Sequence, residues 1–302
     1  MTAEPWLDEV DDLVSARVVE VDGVPMSGLI AEADDPRGII VAIHGGAARA
    51  TYFDCPGHPA NSLLRLAQSL GYTAIAIDRP GYGASRPHAE HMDAARRVEL
   101  AYGAVDALVA GRATGAGLFL WAHSVGCELT IRMAADGARG PHLLGLELSG
   151  TGLERQAAAH AILGNHERNA PAAGVRQLLW EPAGLYPADV IGGASIASKT
   201  PPFEGSAVRA WPRETFPSHA PAVSVPVHFT AAEHERVWRH DSTALADIAE
   251  LFSSSPRVVV DEFVGGGHNL SLGHLARSYH LRVLSFVEYC VARRTLPDLP
   301  IP

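Results

Sequence analysis

Short, continuously apolar runs alternate along this chain with segments whose apolar residues recur at helical spacing. Ile39 to Ile43 and Thr73 to Ile77 are runs of the first kind, apolar throughout or nearly so, as strands covered on both faces must be. Between them Leu63, Leu66, Ala67 and Leu70 fall at i, i+3, i+4 and i+7, which predicts a helix. The same logic predicts a helix through Val98, Ala101, Tyr102, Val105, Leu108 and Val109, then a strand from Gly117 to Trp121. A helix-compatible stretch, Cys127 to Ala135, and a strand, Leu143 to Leu148, follow. Ala16 to Val21 and Ser27 to Ala33 are two earlier strand candidates. Near the end the alternation returns as strand Pro226–Thr230, helix Ser242–Phe252, strand Arg257–Phe263 and helix Leu275–Val291. Buried strands alternating with amphipathic helices predict an α/β protein with a doubly wound, mostly parallel sheet. At the start, Trp6, Leu7, Val10, Leu13 and Val14 lie at helical spacing behind Pro5, predicting a short amphipathic helix docked on the body.

The rhythm breaks after the sixth strand. From Leu153 to about Ala222 the chain is rich in Ala, Gly and Pro, with short helical stretches at Ala157–Leu163 and Val175–Trp180 and no buried-strand pattern. Such an insertion reads as a helical lid over the carboxyl edge of the sheet. The expected organisation is a core split into residues 1–152 and 223–302, with the lid at 153–222.

Bulk properties narrow the partners. A formal charge of −10 over 302 residues disfavours nucleic acid, whose phosphates need a basic surface. No basic cluster suggests an anionic membrane, no run is long enough to span one, and the first residues lack the pattern of a secretory signal. Cys55, Cys127 and Cys290 are odd in number and widely spaced, fitting neither a disulfide framework nor a metal site. His234, His240, His268 and His274 show no i, i+4 pairing on a helix face with a helping carboxylate. The expectation is a cytoplasmic, soluble protein with no metal and no cofactor; a homo-oligomer is left open.

The chemistry centres on Ala122-His123-Ser124-Val125-Gly126, between the Gly117–Trp121 strand and the following helix. A serine on a sharp strand-to-helix turn, flanked by small residues, is a nucleophile elbow. Ala122 stands where glycine is commoner, and alanine is still small enough for the turn. Around it, other loops at predicted strand ends carry His44-Gly45-Gly46, Asp78 to Ser85, Glu233-His234-Glu235 and Gly265-Gly266-Gly267-His268-Asn269. Loops at the carboxyl ends of strands form the active crevice of open α/β sheets. From about Val18 to the C-terminal helix, the chain resembles a lid-bearing member of the α/β-hydrolase superfamily, in its serine esterase, thioesterase and C–C hydrolase branches. The order serine, acid, histidine is the one that fold uses.

The resemblance and the chemistry together suggest roles. Ser124 is the candidate nucleophile, and His268, following three glycines at the last strand, is the candidate base, since imidazole both accepts and returns a proton near neutral pH. Ala232-Glu233-His234-Glu235-Arg236-Val237 resembles the family stretch Gly-Glu-x-Asp-x-Val, which puts Glu235 at the acid position; Glu233 and then Asp241 are the alternatives. Glu235 could instead pair with Arg236 or Arg239 on a solvated loop. Val125 and Gly46, with Ala47 behind it, are the candidate oxyanion-hole amides. The resemblance implies that His44 and the Asp78–Ser85 turn are structural and that His123 packs behind the elbow. Trp180, Trp211, Trp238 and Phe203 would either line an acyl pocket or form the lid's own core. The expected activity is hydrolysis of a carboxylic ester or thioester of a small, largely apolar molecule through an acyl-enzyme. The same residues would also serve an acyltransferase, a cyclising thioesterase or a C–C bond hydrolase, and the fold alone would suit a non-catalytic ligand-binding protein.

Overall fold

The first two strands, β1 (Ser15–Val21) and β2 (Val24–Ala31), form an antiparallel hairpin whose turn is Asp22-Gly23. Both turn residues have positive φ, 47° and 76°, the geometry whose twist matches that of the flanking strands. This is a computed structural model that describes residues 13–163, 174–296 and 298. The N-terminal helix predicted around Trp6 falls, up to residue 12, outside the described residues.

The remaining strands are β3 (Ile39–Ile43), β4 (Thr73–Ile77), β5 (Leu118–His123), β6 (Gly145–Ser149), β7 (Val227–His234) and β8 (Val258–Gly267). They complete one eight-stranded sheet in the order β1-β2-β4-β3-β5-β6-β7-β8, parallel from β4 through β8. Every residue of β3, β4 and β6 is buried, the reason β3 and β4 read as apolar or nearly apolar runs, while β6 carries Glu147 inside its buried stretch. Alternate β3 side chains feed two cores. Ile40 and Ala42 pack with helices α1 (Leu63–Ser69) and α9 (Ala276–Thr295) on one face. Ile39, Val41 and Ile43 pack with α2 (Ala94–Val109), α3 (Gly126–Ala134) and α8 (Ser242–Leu251) on the other.

Between β6 and β7 the chain carries α4 (Ala157–Leu163), α5 (Val175–Trp180), α6 (Glu204–Ala210) and α7 (Phe216–His219), and the described residues there add no strand to the sheet. No helix among the described residues is long and apolar enough to cross a membrane.

Two strands run further than the apolar pattern predicts. β7 continues through His234 and β8 through Gly267, because the two pair with each other beyond their apolar stretch, as far as His234 opposite Gly267. Ladder hydrogen bonds come from backbone and leave no hydrophobic trace in the sequence. Glu233 and Gly265–Gly267 therefore sit on strands rather than in loops.

β3 connects to β4 on one side and pairs with β5 on the other. Strand order reverses between β3 and β5, and in open α/β sheets that is where the crevice opens. The Ser124 turn and the His44–Ala47 loop leave the sheet at this point.

Candidate active site

Ser124 follows β5 directly and has φ +53°, a left-handed conformation costly for a residue with a Cβ. The surroundings hold it there. The Ser124 amide donates to the Ser149 carbonyl at 2.8 Å, and the Cys127 amide donates to the Ser124 carbonyl at 3.0 Å, starting α3. A Cβ on Gly126 would stand 2.3 Å from the Ile43 carbonyl oxygen, so only glycine lets α3 approach β3 this closely. Cys127 is buried with its thiol pushed up by burial, and its Sγ lies 3.5 Å from the Ser149 carbonyl.

His268 arrives from the end of β8. Its Nε2 lies 3.2 Å from Ser124 Oγ, and its Nδ1 lies 2.8 and 3.1 Å from the two Glu235 oxygens. Both His268 and Glu235 are buried, whereas Ser124 is half-buried. Burial pushes the Glu235 carboxyl up, but His268 and the amides of Val237 and Trp238 outweigh it and hold the group below the usual carboxylate range. The Val237 amide donates to Glu235 Oε1 at 2.7 Å. The other two candidate acids are engaged elsewhere: Glu233 accepts the Gly265 amide at 2.8 Å, and Asp241 caps α8 through the Ala244 amide at 3.2 Å. Arg239 pairs with Glu154 and Asp241 rather than with Glu235.

The loop after β3 presents Gly45 and Gly46 beside the serine. The Ala47 amide donates to the Tyr82 hydroxyl at 3.1 Å, whereas the Gly46 and Val125 amides have no hydrogen-bond partner among the described residues. His44 braces this loop as a neutral ring: Nδ1 donates to the Gly45 carbonyl at 2.8 Å and Nε2 accepts the Arg79 amide at 3.0 Å. Burial, then the Arg79 charge, pushes its pKa well down. Asp78 ties the neighbouring turn together, accepting the Ala50 amide at 2.8 Å and the Ser27 hydroxyl at 2.6 Å. His123 stacks on Tyr52 at 4.6 Å and meets His268 edge-on at 5.0 Å.

The group that links this loop to the insertion has no signature along the chain. Glu204, from α6, is buried against Arg79 (2.6 Å) and the Tyr82 hydroxyl (2.7 Å), and Arg79 also donates to the Gly45 carbonyl at 3.1 Å. Arg79 and Tyr82 sit in a glycine-rich turn motif that reads as structural, and Glu204 lies in a stretch without periodicity.

In front of Ser124 and His268 lies a cavity of about 880 Å³. Trp180, Trp211 and Trp238 line it, and they are buried with the side chains of the sheet's two cores, Trp180 in one and Trp211 and Trp238 in the other, so the cavity-lining reading fits them better than a separate core of the lid. Phe203 does not line the cavity; it packs against the small cluster of Met26, Met92, Leu100 and Ala104 and on the Arg97 guanidinium at 4.7 Å. Among the described residues no group of three His, Cys, Asp or Glu side chains is placed to hold a metal.

A sheet of this order, with a serine turn after β5 and a histidine after β8, defines an α/β-hydrolase architecture. Residues 40–279 match the sequence model of the Alpha/beta hydrolase family, and the chain belongs to that family. No curated protein sequence matches it. Among solved structures, it is similar to a thermostable carboxyl esterase from Bacillus coagulans, with 15% identity, TM-score 0.67, and 93% of this chain and 100% of that one covered. It is also similar to a monoglyceride lipase from Saccharomyces cerevisiae, with 13% identity, TM-score 0.66, and coverage of 93% and 96%. A third likeness is to E-2-(acetamidomethylene)succinate hydrolase, with 16% identity, TM-score 0.65, and coverage of 91% and 99%. At these identities the likeness is one of fold.

Proposed function

We propose that the protein is a metal-independent serine hydrolase acting on a carboxylic ester or thioester through an acyl-enzyme. The observation that carries this reading is the 3.2 Å approach of His268 Nε2 to Ser124 Oγ, with Glu235 2.8 Å behind the other ring nitrogen, at the wall of a large cavity. Ser124 attacks the acyl carbon as His268 takes its proton. Glu235 accepts from Nδ1–H, which fixes the tautomer and stabilises the imidazolium that forms. The Gly46 and Val125 amides receive the developing oxyanion, at the N-terminus of α3 where the helix dipole favours negative charge. His268 then protonates the departing alcohol or thiol, and water, activated by the same ring, releases the acid.

The described residues of the 153–222 stretch, 153–163 and 174–222, act as a lid, since they supply Trp180, Trp211 and other cavity walls while Glu204 anchors them through Arg79 to the oxyanion loop; residues 164–173 lie outside the described residues. Three buried free thiols suit a reducing, cytoplasmic setting. A fluorophosphonate probe followed by peptide mapping tests the reading. One label on Ser124, absent from Ser124→Ala, is expected; no label, or a label on another residue, would overturn it.

A further inference from the structure

Among the described residues, four charged side chains line the cavity: Glu128, Glu204, Arg155 and Arg176. The two carboxylates already have their own cations. Glu128 is held by Arg97 at 2.7 Å and Arg132 at 2.5 Å, and Glu204 by Arg79 at 2.6 Å. Arg176 is exposed. Arg155 differs from all of these. It is half-buried, and no carboxylate among the described residues lies within ion-pairing distance of it. Its Nη2 makes a long contact of 3.4 Å to the Val208 carbonyl, its guanidinium lies 5.7 Å from the Trp238 ring, and its buried Nε has no acceptor. A buried guanidinium N–H without an acceptor is destabilising, so such groups are rarely left alone without a reason.

The backbone that carries this side chain is fixed to the acid loop. Arg155 pairs with Trp238 in an isolated antiparallel bridge, flanked by Arg239 N–H to the Glu154 carbonyl (2.8 Å) and Gln156 N–H to the Val237 carbonyl (2.9 Å). The Gln156 side-chain amide donates to the Glu235 carbonyl at 2.6 Å. The arginine is thereby held in register with the carboxylate behind His268, on a pre-organised support. The result is a cationic fork, set among tryptophans, in a protein whose formal charge is −10. The planar guanidinium offers several donors in the geometry that a carboxylate accepts in pairs.

We propose that Arg155 binds a carboxylate on the substrate of Ser124, so that the preferred ester or thioester has an apolar body and one anionic end. This rests on the serine-hydrolase reading and deepens it. Two matched pairs test it at neutral pH. 4-Nitrophenyl hemiadipate against 4-nitrophenyl hexanoate places the charge on the acyl side; 4-carboxyphenyl acetate against 4-carbamoylphenyl acetate places it on the leaving group. Wild type is expected to prefer the anionic member of at least one pair, by roughly 10-fold or more in kcat/KM. Arg155→Met should lower kcat/KM for that anionic ester roughly 10- to 100-fold and leave its neutral twin within about 3-fold, and Arg155→Lys should restore part of the loss. Activity on the neutral twin doubles as the control for folding. Absence of anionic preference in both wild-type pairs, or an equal fall of both members in Arg155→Met, overturns the proposal. Ser124→Ala separates the two claims: if it still hydrolyses these esters the serine mechanism fails, whereas a silent Ser124→Ala with no anionic preference in wild type removes the role of Arg155 alone.

Discussion

Among the described residues, two buried carboxylate–imidazole pairs occur, and they have different fates. Glu235 meets His268 Nδ1 at 2.8 Å; Glu147, on β6, meets His228 Nδ1 at 2.6 Å. The far side of His268 faces a strained serine at the cavity wall. His228 lies tilted against Phe286 at 5.2 Å, and neither it nor Glu147 lines the cavity in front of Ser124. The electrostatics diverge as well. His268 and backbone amides overcome the burial of Glu235 and keep it ionised, whereas burial pushes the Glu147 carboxyl up. The same two residue types therefore reach a serine hydroxyl at the cavity wall in one place and form a core polar cluster in the other. What separates them is a hydroxyl partner on the open side and N–H donors on the backbone.

The largest effects should fall on the open pair. Ser124→Ala and His268→Ala are each expected to lower kcat for a short 4-nitrophenyl ester by about 10⁴-fold or more, with unfolding midpoints near wild type. Glu235→Gln should follow with a loss of about 10³- to 10⁴-fold, because a neutral amide no longer stabilises the imidazolium. A Glu235→Gln enzyme with wild-type turnover would reduce that pair to the status of the sealed one.

Acid should act on the packing around both regions. Burial pushes the His280 imidazole, beside Trp121 and Tyr279, down to about 3, and holds His44 and His123 well below their ordinary value of 6.5. A histidine with a depressed folded pKa binds fewer protons folded than unfolded. Its contribution to stability is thus complete above the unfolded pKa and is lost as pH falls from about 6.5 towards the folded value. His280 alone should cost about 2 kcal/mol between pH 6.5 and pH 5. Urea unfolding at the two pH values should show a smaller acid loss in His280→Gln by that amount; equal losses would mean that the ring takes up its proton in the core as readily as in the unfolded chain.

Much of this was legible in the chain before folding. Ser124 could be read because an elbow is local: an apolar strand, a small-residue turn and a helix lie within one short window. His268 and Glu235 could be read because glycines and strand ends mark the loops that carry them. Glu204 could not, since it reaches Arg79 from 125 residues away in a stretch of no clear period. Arg155 was invisible for the same reason, as its isolation depends on where every neighbouring carboxylate ends up. The outer ends of β7 and β8 escaped because backbone pairing extends them past their apolar residues. Glu147 was hidden differently, as one charged residue inside a strand otherwise read as core.

The sealed pair supplies the smallest and most discriminating test. Glu147 Oε1 accepts the Tyr279 hydroxyl at 2.9 Å, and that hydroxyl accepts the Trp121 indole N–H at 3.1 Å and lies 3.1 Å from Ser149 Oγ. Ser149 in turn offers its carbonyl to the Ser124 amide at 2.8 Å, so the cluster touches the elbow at one remove. Glu147→Gln keeps the shape and the acceptor for Tyr279 but removes the ionisable group facing His228. Losing a charge-assisted bond and losing the cost of a buried charge work in opposite directions. The expected net change is a shift in unfolding free energy of about 1–3 kcal/mol, with kcat/KM within about 3-fold of wild type. Paired urea unfolding and ester hydrolysis measure both quantities. A 100-fold loss of turnover at unchanged stability would mean that the second pair takes part in the chemistry, and the contrast between open and sealed sites would fail.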